Sequence, residues 1–171
     1  MSPINRMLAK HRRAGRPAVG LIENLGSPEV AELMAASGPD WLAIDCEHAR
    51  ITPERLAHMV RGVQSVAATP ILARLPDHSV SWCKWALDAG VTALAAPMVD
   101  SAAEAQRFVQ QSLLPPAGRR SWGGGRAPLH FGDDYLDTIN DRLALLAQIE
   151  SAEGLAAVDE ILAVPGLSGI L

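Results

Sequence analysis

Short apolar runs alternate along the chain with longer segments in which apolar residues recur at helical spacing. The apolar runs contain few polar positions, which is typical of parallel strands that are buried on both faces. This pattern predicts six strands, at residues 18–23, 41–46, 70–75, 93–99, 144–150 and 167–171. Helical spacing predicts helices at residues 4–14, 28–36, 53–66, 80–89, 102–112 and 154–163, and a further short helix at about 133–141.

The ends of several predicted helices carry local signals. Ser27-Pro28 and Thr52-Pro53 each place a hydroxyl side chain before a proline at the first helical position, as expected of helix N-termini. Gly38 and Gly90 stand where a helix commonly ends in a left-handed residue. The repeated order of strand and helix therefore predicts the α/β class, with a parallel sheet.

The number of repeats bears on the architecture. We count an N-terminal helix, five βα units and a sixth strand, in a single domain spanning residues 1–171. Eight units close a (β/α)8 barrel, which takes about 250 residues, whereas six strands are also compatible with an open doubly wound sheet. The chain ends on the apolar run "VPGLSGIL". Because strand edges are normally covered, we expect a chain truncated after about the sixth strand.

Composition narrows the class of protein. The 171 residues are 49% hydrophobic with a formal net charge of −4, which argues against disorder and against a nucleic-acid partner. Five basic residues in the first sixteen fit a solvated helix face better than a nucleic-acid arm: Arg6, Lys10, Arg12, Arg13 and Arg16. No run is long enough to span a membrane. With only two cysteines, no disulfide framework is implied, and we expect a cytoplasmic protein.

Charged and polar residues follow three of the predicted strands. The second strand leads into Asp45, Glu47 and His48, the third ends near Arg74, and the fifth reaches two further polar residues, Gln148 and Glu150. The carboxyl ends of parallel strands meet at one end of an α/β fold, where functional groups gather. The period of two along a strand places Gln148 and Glu150 on the same face. Together these side chains predict a polar pocket.

Six stretches occur in the order and at the spacing of a known family: "DWLAIDCEHA", "PILARL", "ALDAGVTALAAPMV", "PPAGRRSWGGGRA", "LLAQIES" and "VPGLSGIL". The chain resembles the HpcH/HpaI aldolases, metal-dependent 2-oxo acid aldolases related to the citrate lyase β chain. The resemblance implies a (β/α)8 TIM barrel of the phosphoenolpyruvate/pyruvate type, usually hexameric. It also implies a carbon–carbon lyase of aromatic or sugar-acid catabolism, which cleaves 4-hydroxy-2-oxo acids to pyruvate, or a related 2-oxo acid, and an aldehyde using Mg²⁺, Mn²⁺ or Co²⁺.

The resemblance also implies roles for particular residues. His48 would be the general base on the C4 hydroxyl, and Asp88 would hold and polarise its imidazole. Arg74 would bind the substrate and face the oxygen on which charge develops. Glu150 would be the metal ligand, and Gln148 would bind the oxo-acid end of the substrate.

The roles of two further acids stay open. Asp45 and Glu47 are possible supporting residues of the site, or structural acids that bond neighbouring loops. The family pattern continues beyond the sixth strand to a second metal-binding aspartate, which this sequence does not include. The 114–131 segment is a candidate determinant of aldehyde specificity.

One test of the mechanism does not depend on the resemblance. Aldolases that use no metal form a lysine Schiff base, but the two lysines, Lys10 and Lys84, fall in predicted helical or basic segments and not at strand ends. A metal-dependent route is what remains. Two alternatives stay open: an inactive α/β fragment or pseudoenzyme with at most small-acid binding, and an intact open-sheet domain that binds a small acid.

Overall fold

The computed structural model describes residues 1–171 and contains six strands and nine helices. The strands are β1 (Gly20–Glu23), β2 (Trp41–Asp45), β3 (Ile71–Arg74), β4 (Ala93–Ala96), β5 (Ala144–Ala147) and β6 (Gly169–Ile170). The helices are α1 (Pro3–Arg13), α2 (Pro28–Ala36), α3 (Pro53–Val66), α4 (Val80–Ala89), α5 (Ala102–Ser112), α6 (Ala127–Phe131), α7 (Tyr135–Arg142), α8 (Ala152–Ala156) and α9 (Val158–Leu162). All six predicted strands are present, each somewhat shorter than predicted.

The helix signals act as the sequence predicts, and α2 to α5 have the predicted bounds. Ser27 Oγ accepts the backbone N–H of Val30 at 3.2 Å, and Thr52 Oγ1 accepts that of Arg55 at 3.3 Å. Each hydroxyl thus satisfies one N–H that has no partner within its own helix. Gly90 ends α4 with φ 104°, a left-handed conformation that costs glycine little.

Two helical segments differ from the prediction. The short helix expected at 133–141 begins at Tyr135, and a separate helix, α6, precedes it; Gly132, with φ 96°, lies between the two. The helix expected at 154–163 is two short helices, because the backbone at Ala157 (φ −96°, ψ 8°) leaves the helical conformation. Apolar spacing alone does not reveal either interruption.

The sheet is entirely parallel, and its strands follow one another in chain order from β1 to β6. This order is that of a (β/α)8 barrel and not of a doubly wound sheet, in which the order reverses. The α/β barrel-type prediction is therefore confirmed, and the doubly wound alternative is wrong. The β2–β3 register places Asp45 directly beside Arg74.

Two apolar layers cover the two faces of the sheet. The larger lies between the strands and the surrounding helices and includes Leu42, Ile44 and Phe108. The smaller covers the inner face and is made mostly of small side chains: Ile4, Ala43, Leu72, Ala93, Ala95 and Ala144. Ile4 comes from α1, so this helix packs against the inner face of the sheet. Ile4 and Leu72 are the two largest side chains of this layer.

The sheet does not close on itself, because β1 and β6 each pair with a single neighbour. Apolar side chains are exposed along both edges: Ile22 is 56% exposed on β1, and Ile170 is 39% exposed on β6. These edges are the least protected part of the fold.

None of the nine helices combines the length and the apolar character that crossing a membrane requires.

Candidate active site

A cleft of about 340 Å³ opens at the carboxyl ends of the strands. Four polar side chains from β2, β3 and the segment after β5 line it, namely Asp45, Arg74, Gln148 and Glu150. Its remaining walls are mainly apolar and include Ile22, Trp41, Ala43, Leu72 and Ala95. We call this space the carboxyl-end cleft. An apolar cavity with a few convergent polar groups is the usual form of a small-molecule site.

A bidentate ion pair lies at the centre of the cleft. Arg74 Nε donates to Asp45 Oδ1 at 2.9 Å, and Arg74 Nη2 donates to Asp45 Oδ2 at 2.5 Å. Burial acts to raise the pKa of Asp45, but hydrogen bonds from Arg74 and from backbone N–H groups outweigh it and hold that pKa below its ordinary value. The guanidinium is therefore fixed in one plane, with its remaining N–H groups available to a ligand.

The same carboxylate shapes the turn that presents His48. Asp45 Oδ1 accepts the backbone N–H groups of Glu47 at 3.1 Å and of His48 at 3.2 Å. The His48 side chain is 68% exposed, and its Nε2 lies 3.6 Å from Glu47 Oε1. Asp45 thus bonds its own loop and also holds Arg74 in the cleft, and its part in the chemistry of the site stays a prediction.

Gln148 links two further carboxylates. Its Nε2 lies 3.2 Å from Glu47 Oε2 and 3.1 Å from Glu150 Oε2. Glu47 also lies 3.4 Å from Arg74 Nε. Gln148 and Glu150 both line the cleft, but Ile149 between them lines it too, and β5 ends at Ala147, so the strand alternation predicted for these residues does not extend to them.

Asp88 lies apart from the other predicted site residues. It is near the C-terminal end of α4, where its Oδ1 is 3.6 Å from Nη1 of the fully buried Arg120. Burial raises the pKa of Asp88, although Arg120 and Lys84 act to lower it. Its ion-pair partner within the chain is Arg120 and not His48.

Two residues at the cleft end of the fold were not predicted. Met98 has a positive φ of 50°, and its backbone N–H donates to Glu150 Oε2 at 3.0 Å. Such a backbone conformation is unfavourable for a side chain other than glycine. No sequence pattern marks it.

Glu23, the last residue of β1, is the second. It is buried, and its carboxylate accepts the N–H groups of Leu25, Gly26 and Ser27 at 3.1, 3.1 and 3.3 Å. Its position at the end of an apolar run was the available signal, the same one that identified Asp45. The acid fixes the loop after β1.

The oxygen atoms in the cleft suit a hard divalent cation. The Gln148 amide joins two carboxylates, Glu47 and Glu150, and carboxylate and amide oxygens are the ligands that Mg²⁺ and Mn²⁺ prefer. The donor types therefore fit such an ion. Asp45 is already engaged by Arg74, and no group of three or more histidine, cysteine, aspartate or glutamate side chains stands ready to hold a metal.

The cysteine and lysine chemistry is consistent with an oxygen-lined site. Cys46 is buried, and burial together with Asp45 and Glu23 raises its pKa to about 12, so it is a protonated core residue and neither a nucleophile nor a thiolate ligand. Lys10 lies in α1 and Lys84 in α4, and neither lines the cleft.

Comparison with known proteins gives a consistent result. Residues 19–171 match the family model described as HpcH/HpaI aldolase/citrate lyase. The chain is 37% identical to a hydroxypyruvate/pyruvate aldolase of Deinococcus radiodurans, with 99% of this chain and 62% of that protein aligned. It is 38% identical to a 2-keto-3-deoxy-L-rhamnonate aldolase of Escherichia coli, covering 92% of this chain and 60% of that one.

The fold has close counterparts among solved structures. A crystal structure of an HpcH/HpaI aldolase/citrate lyase family protein from Burkholderia cenocepacia superimposes with a TM-score of 0.88 at 33% identity. The superposition covers 97% of this chain and 67% of that chain. The chain spans about three fifths of the length of the curated relatives described above.

Proposed function

Because the chain belongs to the HpcH/HpaI aldolase/citrate lyase family, we propose that it acts as a class II aldolase on 4-hydroxy-2-oxo acids. The products would be pyruvate, or a related 2-oxo acid, and an aldehyde. The observation that carries this proposal is the Asp45–Arg74 pair, which lies beside Gln148 and close to the turn of His48. The named activities of the two relatives, both aldolases, support the same reaction class.

The chain's own residues account for the charge and proton movements of an aldol cleavage. His48 would accept the proton of the C4 hydroxyl, for which an exposed imidazole near neutral pH is suited. As the C3–C4 bond breaks, its electron pair moves toward the 2-oxo oxygen, and the aldehyde leaves. Arg74, held in place by Asp45, would donate to the oxygen that becomes negative. A proton then returns to C3 to give the 2-oxo acid.

Gln148 and the carboxylates complete the site. Gln148 would bind the oxo-acid end of the substrate, and Glu150, with Glu47 close by, would hold Mg²⁺, Mn²⁺ or Co²⁺. A bound divalent ion would supply Lewis-acid polarisation of the 2-oxo group. Fixing Glu150 through the N–H of Met98 would keep its carboxylate turned toward the cleft.

The predicted partnership of Asp88 and His48 remains a proposal. Within one chain Asp88 pairs with Arg120, so a second copy would have to bring an Asp88 to His48. We also propose a homo-oligomer, hexameric as in the full-length family, formed from this single barrel-type domain of residues 1–171, and a cytoplasmic location. The proposed partners are a small-molecule 2-oxo acid and an aldehyde, and we propose neither a nucleic-acid partner nor a membrane partner.

The decisive experiment is an assay of pyruvate release from a 4-hydroxy-2-oxo acid, and of the reverse condensation with a hydroxyaldehyde, in the presence of Mn²⁺. We expect turnover with Mn²⁺, loss of turnover with a chelator, and recovery when Mn²⁺ is added back. Undiminished turnover in chelator would overturn the metal-dependent mechanism.

The second candidate function is small-acid binding without catalysis. Two observations favour this candidate. Asp45 is already paired with Arg74, and no group of three or more histidine, cysteine, aspartate or glutamate side chains is arranged to hold a metal ion. Pyruvate binding, with no turnover under any metal condition, would support this candidate over the aldolase.

A further inference from the structure

A second cavity lies at the end of the sheet opposite the carboxyl-end cleft. It has a volume of about 400 Å³, and Pro70, Ile71 and Thr92, at the starts of β3 and β4, form part of its wall. Residues from α1, α6 and α7 complete it. We call it the amino-end groove. A strand of four residues separates it from Arg74, or roughly 10 Å at about 3.3 Å per residue, so it is distinct from the candidate active site.

The ionisable side chains that line this groove are all basic, and the arginines among them carry its positive charge. Arg6 comes from α1, His130 from α6 and Arg142 from α7, and no carboxylate is among the lining residues. Arg126 stands behind them, bonded to the lining residue Gln64. In a chain whose formal net charge is −4, this is a local concentration of positive charge. Burial and the neighbouring Arg126 lower the pKa of His130, so its imidazole offers the groove a hydrogen-bonding group and not a charge near neutral pH.

The two lining arginines are oriented by hydrogen bonds within the chain, but each keeps N–H donors that have no partner there. Arg142 Nη1 donates to the carbonyl of Phe131 at 2.9 Å, and its Nη2 donates to Asp134 at 2.8 Å. Arg6 Nη1 donates to the carbonyl of Met1 at 2.8 Å. Because a guanidinium has five N–H donors, each arginine keeps others for a ligand. Asp134 offsets one positive charge, and Arg126 adds one beside the groove.

We propose that the amino-end groove binds a small phosphate-bearing anion. Guanidinium groups that approach from two separate helices, with an imidazole and the Thr92 side chain between them, match a compact anion with several acceptor oxygens. The groove is larger than a phosphate ion, and Phe131, Pro3 and Ile71 add apolar wall for an attached organic group. The site does not depend on the aldolase reaction.

The test is isothermal titration of the whole chain with inorganic phosphate at constant ionic strength in chloride. The informative variant is Arg6→Gln, because Arg6 is exposed and lines the groove. Its matched control is Arg12→Gln, which removes the same charge from the same helix but lies outside the groove. We expect Arg6→Gln to weaken phosphate binding about tenfold, equivalent to about 1.4 kcal/mol, and Arg12→Gln to leave it within about twofold.

Three further results have defined meanings. Arg74→Gln should leave phosphate binding unchanged, and its loss in that variant alone would place the ion in the carboxyl-end cleft and overturn the proposal. Equal weakening by Arg6→Gln and Arg12→Gln would reduce the effect to general surface charge and overturn it too. Succinate is the second probe, and binding of succinate as tight as that of phosphate would show a carboxylate site instead.

Discussion

A single carboxylate bonds both a side chain and a backbone turn of the candidate site. Asp45 pairs with the guanidinium of Arg74 and also accepts the N–H groups of Glu47 and His48. The orientation of the Arg74 guanidinium and the shape of the turn that carries His48 therefore depend on the ionised form of this one residue. Arg74 could not be replaced by lysine without losing the bidentate pairing.

Asp45→Asn should lower stability in a pH-dependent way. The pKa of Asp45 is lowered from its ordinary 3.8 in the folded protein, so its stabilising contribution is present above that value and is lost as the pH falls through the lower folded value. We expect a loss of about 1–3 kcal/mol in free energy of unfolding near neutral pH, shrinking below about pH 4. Urea denaturation across this range measures it.

The control for that experiment is Asp133→Asn, which changes an exposed aspartate that forms no ion pair. We expect it to be nearly neutral at every pH. A difference between wild type and Asp45→Asn that stayed constant down to about pH 3 would show that Asp45 is not the titrating group.

His48→Ala should lower kcat by about 10²–10⁴-fold, the usual contribution of a general base, if the proposed reaction is correct. His78→Ala is the matched control, since His78 lies in the loop after β3, at the same end of the sheet, but outside the turn that Asp45 bonds and that carries His48. Both variants are compared in the pyruvate-release assay. Equal activity of the two would remove His48 from the mechanism.

At the scale of elements, α1 is held to the inner face of the sheet by one aliphatic side chain. Ile4 is 8% exposed and packs among small residues, whereas Leu8, one turn further along the helix, is 47% exposed. We expect Ile4→Ala to cost about 2–4 kcal/mol of stability and Leu8→Ala less than about 1 kcal/mol. Thermal and urea unfolding of both variants measure this, and equal losses would mean that α1 packs through another face.

The elements were predictable from the sequence to the extent that their signals are local. Proline and hydroxyl pairs at Ser27 and Thr52 define helix starts without any tertiary information. By contrast, the interruption between α8 and α9 is a change of backbone angles at Ala157, and an alanine carries no local signal of it.

The site residues likewise differ in whether the sequence carries a signal for them. Asp45, Arg74 and Gln148 were predictable because parallel strands bring their carboxyl ends together. The contribution of Met98 was not, because it is a backbone N–H aimed by an unusual φ angle. The pairing of Asp88 with Arg120 was equally hidden, since it joins two segments about thirty residues apart through a loop of no regular pattern.

At the scale of the whole molecule, the exposed apolar side chains on β1 and β6 predict self-association of the 171-residue chain when it is produced alone. Ile170→Lys places a charge on the β6 edge and should shift the chain toward monomer at high protein concentration. Leu155→Lys, which alters an equally apolar residue of α8 that is 66% exposed, is the control. Light scattering after size-exclusion chromatography measures the mass. If both variants shift the mass equally, or neither does, the strand edges do not drive association.

The alanines on the inner face of the sheet affect the size of the cleft but not its charged groups. Ala43 and Ala95 line the carboxyl-end cleft together with Leu72 and Trp41, so two methyl groups contribute to the depth of this cleft while taking no part in its ion pairs. A larger side chain at either position would reduce the volume of the cleft and leave the Asp45–Arg74 pair as it is, so the size of an accepted ligand can change independently of the charged groups.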